Sequence, residues 1–237
     1  MPGFDTVPRR ALVVVAHPDD IDFGMAGTIA VLTSGGSEVV YLLVTSGEAG
    51  GPDHLDRDAL RRQREAEQCA AAAIVGVTDV RFLGYPDGRV ECTMDLRRDI
   101  SRVIRDVQPD LVLCHSSDRV WDRMYFSHPD HLAVGEATAC AVYPDARNPH
   151  AHTELLADGF LPHAVERMWV AGLEANHWID ITDVFDRKVA ALRSHESQVS
   201  DRANLDQQLR EWAAGNAAAG GLAEGRLAES FREIDAR

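Results

Sequence analysis

Two short clusters of histidine and aspartate contain the side chains with the most obvious capacity for chemistry. The first is HPDD at positions 17–20, and the second is HPDH at positions 128–131. Imidazole and carboxylate are the usual ligands of a catalytic zinc ion, which takes three protein ligands and leaves one position for water. Two histidines and one carboxylate from these clusters complete that ligand set and leave a second carboxylate beside it. The clusters therefore predict a metal site suited to hydrolysis.

The groups left over have roles in such a reaction. A carboxylate that does not bind the metal can act as general base toward the water at the metal, whose pKa the metal lowers to about 7. A further histidine can stabilise an oxyanion or protonate a leaving amine. A single HPD segment is also ordinary turn chemistry, in which proline fixes φ and aspartate caps the next helix. Capping does not require the histidines, so the pair of clusters favours metal-assisted hydrolysis of an amide.

Both clusters follow predicted buried strands. Residues 11–16 (ALVVVA) form a continuous apolar run, as in a parallel strand covered on both faces. Residues 110–115 (DLVLCH) predict another strand, and SGEAGG follows a third at 38–45. In open parallel sheets, ligands bind beyond the carboxyl ends of the strands. The three polar segments are therefore expected at one edge of the sheet.

The rest of the chain alternates between the two types of element. Further strands are predicted at 80–84, 168–172 and 178–182, and helices at 24–33, 57–75, 95–107, the segment after HPDH, 183–195 and about 201–214. This order predicts an α/β layered fold with a mostly parallel sheet. The segment 215–225 is expected to be a link or loop before a short terminal helix.

Composition limits the partners. The net charge of −14, from 24 basic and 38 acidic side chains, repels phosphate backbones and anionic lipid, so neither nucleic acid nor a membrane is expected as a partner. No signal-peptide pattern precedes the first predicted strand, and the apolar run there is too short to span a bilayer, which predicts a cytoplasmic location. No C-x-x-C pair indicates a thiolate zinc site. A monomer and a homo-oligomer both stay open.

AHPDD, followed by Gly24, and HPDH at the start of a helix resemble the two signature motifs of the LmbE-like, or PIG-L, zinc deacetylases. LVTSGEAGG, RRQREAEQCAAAAIVGV, VRFLGYPDG and DITDVFDRKVAALRSHESQ resemble other stretches of that family in the same order. Its members remove acetyl groups from N-acetylglucosaminyl compounds, including intermediates of mycothiol and bacillithiol assembly. The resemblance implies one zinc ion per chain and an N-acetylated sugar conjugate as the small-molecule substrate.

The resemblance also implies the architecture. It predicts a Rossmann-like three-layer fold with a C-terminal α/β extension. We expect a single domain over residues 1–237, with the sheet core and metal site in about 11–150 and the extension in about 151–237.

The family pattern assigns roles to individual residues of this chain. The implied zinc ligands are His17, Asp20 and His131. Asp19 becomes the general base acting on the water at the zinc. His128 then stabilises the tetrahedral oxyanion or serves as acid, and Asp130 orients His128. Many members read AHPDDE, whereas in this chain Ile21 occupies the Glu position and Asp22 follows it, which marks a subgroup of the family.

Substrate contacts are predicted less directly. The candidates are Glu48 in the Gly-rich segment, Arg62 on a charged helix, Arg123 ahead of HPDH, Arg147 and His195. Each has a structural alternative, such as a tight turn or a solvated helix face. The aromatic residues of the loop at 119–127 either stack on a sugar or pack the loop down, and we expect substrate choice to be made in this loop.

Other functions stay open on the sequence. A zinc-dependent amidase acting on another small amide or thiol conjugate would use the same metal site. A metal- or sugar-binding module would need Asp20 but not Asp19. A nucleotide-binding α/β domain would need a phosphate loop, and SGEAGG does not match G-x-G-x-x-G.

Overall fold

A computed structural model of the chain describes residues 7–51, 56–121, 124, 127–172 and 174–237. The strands of the described residues are β1 Arg10–Val15, β2 Glu38–Leu43, β3 Asp79–Phe82, β4 Leu111–His115, β5 Arg167–Ala171, β6 His177–Asp180 and β7 Ala228–Asp235. They form one sheet in the order β3-β2-β1-β4-β5-β7-β6. Strands β1 to β5 pair in parallel, and β7 runs antiparallel to both of its neighbours.

Helices cover both faces of this sheet. They are α1 Asp20–Gly24, α2 Ala26–Ser34, α3 Arg57–Ile74, α4 Met94–Val107, α5 Pro129–Cys140, α6 Thr153–Ala157, α7 Phe185–Arg193, α8 Glu196–Val199 and α9 Leu205–Ala219. The predicted three-layer α/β fold with a mostly parallel sheet is therefore confirmed. Within the described ranges, no helix has the length and apolar character required to cross a bilayer.

The central strand β1 explains why its sequence is apolar without alternation. Val13 and Val15 lie in one core, with residues of α2, α3, α7 and α9. Leu12 and Val14 lie in a second core, with residues of α4 and α5. Successive side chains of a strand point to opposite faces, so a strand with helices on both sides needs apolar residues at every position.

The strand order reverses between β1 and β4. From β1 the chain builds outward through β2 and β3, and then returns to place β4 on the other side of β1. The crevice at such a reversal is where open α/β sheets bind ligands. His17 follows β1 and His115 ends β4, so both residues lie at this crevice.

The C-terminal region differs from the sequence prediction. Helix α9 continues through Ala219, and the predicted terminal helix is wrong because the chain there forms β7. This strand pairs with β5 on one side and β6 on the other. Its backbone hydrogen bonds are made to strands distant in sequence, and a local pattern does not report such pairing.

Candidate metal centre

Three side chains from the two motifs converge at the crevice. His17 Nδ1 lies 3.2 Å from His131 Nε2 and 3.5 Å from Asp20 Oδ2. His131 Nε2 lies 3.0 Å from Asp20 Oδ1. Tetrahedral zinc with bonds of about 2.0–2.1 Å separates its ligand atoms by about 3.3 Å. The donor atoms of the three residues that the family pattern implies as ligands therefore have the spacing of a metal site.

Local backbone structure places these donors. His17 follows the last residues of the buried strand β1, Asp20 begins α1, and His131 lies in the first turn of α5. The backbone N–H of His17 donates to Asp20 Oδ2 over 2.8 Å, which fixes the carboxylate against the end of the strand. Two loops leaving adjacent strands thus supply the donor set, as the sequence pattern predicts.

The second ring nitrogen of His17 is held by carboxylates. His17 Nε2 lies 3.1 Å from Asp87 Oδ1 and 3.2 Å from Asp130 Oδ2. Burial opposes a charge on His17, but hydrogen bonds to Asp130, Asp20 and Asp87 outweigh it and raise its pKa to about 12. Carboxylates that hold the far nitrogen of a ligating histidine fix its tautomer and orientation. The carboxylates around this ring therefore create a negative potential, which also favours a metal cation in place of the proton on Nδ1.

His128 and Asp130 are not arranged as expected. We expected the Asp130 carboxylate to orient His128, but it contacts His17 and accepts the Gly88 N–H over 2.8 Å. The backbone N–H of Asp130 instead donates to His128 Nδ1 over 3.2 Å, so that His128 caps α5. Because Nδ1 accepts this bond, Nε2 carries the hydrogen of the neutral ring. Burial and the neighbouring His17 lower the pKa of His128, which favours that neutral form.

Asp19 is held beside the donor set in an uncommon backbone conformation. Its φ is 83°, in the left-handed region that Asp and Asn tolerate better than most residues. Its N–H donates to Gln68 Oε1 over 3.0 Å, and its Oδ2 accepts from Arg64 Nη2 over 3.2 Å. Burial and the charge of Asp20 raise the pKa of Asp19 to about 6, against the opposing charge of Arg64.

Arg64 joins two loops of the site. It donates to the carbonyl oxygens of Pro18 and Gly47 over 2.8 Å and 2.7 Å. Gly47 has a φ of 67°, and a Cβ there would lie 2.4 Å from the Arg64 guanidinium, so another residue would be strained and would displace Arg64. Arg62, the arginine selected from the sequence, is exposed on α3. Residues two apart on a helix face different directions, so only one of the pair can reach the site.

A buried polar chain leads from the C-terminal region to Asp19. His195 Nε2 lies 2.8 Å from Asp22 Oδ2, which also accepts from Gln68 Nε2 over 3.0 Å. Gln68 Oε1 in turn accepts the Asp19 N–H. His195 was predicted to contact substrate, but it is fully buried and its partner is Asp22. Asp22 directly follows Ile21, which occupies the Glu position of the AHPDDE pattern.

Sequence reasoning missed His115 and Asp87. His115 Nε2 lies 3.0 Å from Asp20 Oδ2, and its ring stacks on His131 with centroids 4.1 Å apart. The sequence feature that could have identified His115 is its position at the end of a predicted buried strand, next to the crevice. Asp87 lies in the VRFLGYPDG stretch, to which we assigned no role in the site, and no local signal indicates its contact with His17.

The remaining residues predicted to contact substrate are not members of the donor set. Glu48 is buried, and its Oε1 accepts the Asp87 N–H over 3.0 Å, which anchors the loop of Asp87. Arg147 donates to the carbonyl oxygen of Val165, which precedes β5 at the edge of the sheet opposite to the donor set. Arg123 lies outside the described residues.

Known proteins resemble this chain along most of its length. Diacetylchitobiose deacetylase from Thermococcus kodakarensis is 34% identical over 196 residues, which cover 80% of this chain and 70% of that protein. A probable N-acetyl-alpha-D-glucosaminyl L-malate deacetylase 2 from Bacillus subtilis is 33% identical over 209 residues, covering 85% and 89%. The structure of N,N'-diacetylchitobiose deacetylase from Pyrococcus horikoshii, complexed with its inhibitor MPG, matches with a TM-score of 0.88 and 28% identity, covering 97% of this chain and 85% of that one.

A family profile covers the part of the chain that carries the donor set. The profile PIG-L, described as GlcNAc-PI de-N-acetylase, matches residues 12–142. This range contains both HPDD and HPDH, together with strands β2, β3 and β4. The resemblance found in the sequence is thus confirmed, and the chain belongs to the PIG-L family.

Proposed function

We propose that the protein is a metal-dependent hydrolase that removes the acetyl group from the amide nitrogen of an N-acetylglucosamine conjugate. The observation that carries this proposal is the donor set of His17, Asp20 and His131 at metal-ligand spacing, with the Asp19 carboxylate held beside it. The names of the relatives, which are deacetylases of N-acetylated sugar compounds, support the choice of bond and of sugar.

The donor set would bind one divalent metal per chain through His17 Nδ1, the Asp20 carboxylate and His131 Nε2. Two imidazoles and a carboxylate suit zinc, which we predict as the physiological metal. When bound, the metal would polarise the acetyl carbonyl and lower the pKa of water to about 7. The cytoplasmic location also stays a prediction.

Asp19 would act as general base. The pKa of its carboxyl is raised to about 6 by burial and by Asp20, close to the neutral range in which a base works well. The carboxylate takes a proton from the attacking water as the oxygen–carbon bond forms. It then passes this proton to the amide nitrogen as the carbon–nitrogen bond breaks, so that acetate and the free amine are released.

His128 would stabilise the oxyanion of the tetrahedral intermediate. Its Nδ1 accepts the Asp130 N–H, which leaves Nε2 as the donor. Because burial and His17 lower its pKa, the ring is a neutral hydrogen-bond donor rather than a permanent cation. Such a preorganised donor acts on charge that develops only during the reaction.

Asp22, Gln68 and His195 would be positioning residues. Their chain of hydrogen bonds ends at the Asp19 N–H, which fixes the left-handed backbone of the base. Arg64 holds the carboxylate of Asp19 from the other side. Catalysis depends steeply on the placement of a base, so these buried contacts would affect turnover more than substrate binding.

The proposal is tested by incubating the metal-loaded protein with N-acetylglucosamine, N,N'-diacetylchitobiose and N-acetylglucosaminyl malate. We expect acetate and primary amine in equal amounts from at least one of them. An Asp19→Asn variant serves as the control for contaminating activity. If the metal-loaded protein releases acetate from none of these compounds but cleaves another acyl amide, the amidase alternative replaces the proposal. Binding without turnover of any amide would make the protein a binding module.

A further inference from the structure

A single cavity joins the metal-binding residues to the C-terminal helix. It has a volume of about 860 Å³, and Asp20, His115 and His131 line one part of it. Trp212 and Asn216 of α9 line another part. Ligand pockets have volumes of roughly 300–1,000 Å³, so this cavity is at the large end of that range. It has room beyond the acetylated sugar that must reach the metal.

Trp212 and Asn216 stand one turn apart on α9 and both border the cavity. Leu209 and Ala213 of the same helix are buried in the core and anchor it. The Trp212 side chain, in contrast, is 47% exposed. An aromatic ring offers a flat apolar face for the C–H groups of a sugar ring, and an amide can donate to and accept from hydroxyl groups. The pair therefore has the chemistry of a sugar subsite.

Charge along the cavity favours a neutral ligand. Among the described lining residues, Asp118 and Glu211 are acidic and exposed. Lys188 also lines it, but its Nζ lies 2.6 Å from Glu229 Oε1 and is neutralised there. Arg202 is left as the cation without a carboxylate partner among the ion pairs of the described residues. An acidic group on the substrate would meet more like charge than opposite charge here.

We propose that Trp212 and Asn216 form a subsite for a neutral sugar ring attached to the N-acetylglucosamine unit that loses its acetyl group. The inference rests on the proposed function and specifies its substrate class: a neutral acetylated oligosaccharide, rather than a conjugate with an acidic group. Trp212 stacks on the second ring, and Asn216 bonds its hydroxyl groups.

The test compares N,N'-diacetylchitobiose with N-acetylglucosamine, by amine release, in wild type and Trp212→Ala. Loss of the stacking ring raises KM for the disaccharide about tenfold and changes kcat/KM for the monosaccharide by less than about twofold. Trp212→Phe retains an aromatic ring, so its KM for the disaccharide stays close to that of the wild type. Tyr143→Ala is the matched control, because Tyr143 is 66% exposed and lines a different cavity.

The outcomes separate this inference from the proposed function. Acetate release from neither sugar in wild type contradicts both. If both sugars are turned over but Trp212→Ala does not weaken turnover of the disaccharide more than that of the monosaccharide, the subsite alone is contradicted. The same holds if the wild-type kcat/KM is higher for N-acetylglucosaminyl malate than for the disaccharide. If Trp212→Ala fails to fold, as judged by its thermal melting curve, Asn216→Ala takes its place and should raise the disaccharide KM about threefold.

Discussion

The two sides of the substrate cavity are built in different ways. On the metal side, His17 is held by Asp87 and Asp130, and Asp19 is held by Gln68 and Arg64. On the α9 side, Trp212 and Glu211 are exposed, and the helix packs onto the core through its opposite, buried face. The metal side holds the reacting groups in one geometry, while the α9 side presents exposed side chains that a substrate can contact. We infer that chemistry and substrate choice are encoded in separate parts of the chain.

This difference determines how each side tolerates change. A substitution in the donor set leaves buried charges without partners, which affects function and stability together. A substitution of an exposed residue on α9 usually changes stability by less than about 0.5 kcal/mol. Substrate preference can therefore vary within such a fold while the metal site stays the same.

The largest effect is expected for His131→Ala. Removing a ligand leaves two donors, which is too few for tight zinc binding, and turnover should fall to the background rate. Metal content by elemental analysis and acetate release measure the two consequences. His150→Ala is the control, since His150 is exposed and belongs to none of the possible ligand groups among the described residues. If His131→Ala retains the wild-type zinc content, the ligand set is misassigned.

A smaller loss, about 10²- to 10⁴-fold in kcat, is expected for Asp19→Asn. Asparagine keeps the size of the side chain and tolerates the left-handed φ of 83°, so the loop should stay in place. Metal content should match that of the wild type. Unchanged turnover in a variant that retains its metal would remove Asp19 from the role of base.

His195→Ala tests the positioning chain. It leaves the buried Asp22 carboxylate with one partner fewer, which should lower the free energy of unfolding by about 1–3 kcal/mol. We also expect a kcat several-fold lower at an unchanged KM and metal content, with partial recovery in His195→Gln. Urea unfolding and steady-state kinetics measure these effects. A change in KM alone would instead favour the substrate contact predicted from the sequence.

The smallest effect concerns the C-terminal strands. Asp180 of β6 accepts hydrogen bonds from Thr182 and from Arg226, which precedes β7. Burial opposes its ionisation, but these contacts outweigh burial and lower its pKa. Its stabilisation is therefore fully present above the unfolded-state pKa of about 4 and is lost as pH falls from there through the lower folded-state pKa. The difference in unfolding free energy between wild type and Asp180→Asn should shrink from pH 7 to pH 3. A difference that does not depend on pH would contradict this assignment.

The parts of the site that the sequence predicted are those encoded locally. HPDD and HPDH each directly follow a strand or begin a helix, so their side chains could be placed at one edge of a parallel sheet. The parallel sheet itself was predictable because continuous apolar runs such as 11–16 indicate strands covered on both faces.

The parts that were missed depend on contacts between distant segments. Asp87 reaches His17 from a different loop, and β7 inserts between two strands that precede it in sequence. Arg64 was missed because helix propensity does not indicate which side of α3 faces the loops. The aromatic loop at 119–127, where we expected substrate choice, includes Tyr125 and Phe126, which lie outside the described residues. Its role stays a prediction beside that of α9.

The central claim is that the donor set holds a metal on which hydrolysis depends. The most direct measurement is to remove metal with a chelator, add zinc back in steps, and follow acetate release from N,N'-diacetylchitobiose. We expect no turnover without metal and a linear rise in rate that ends at about one equivalent of zinc per chain. Full activity in protein shown to be free of metal would contradict it.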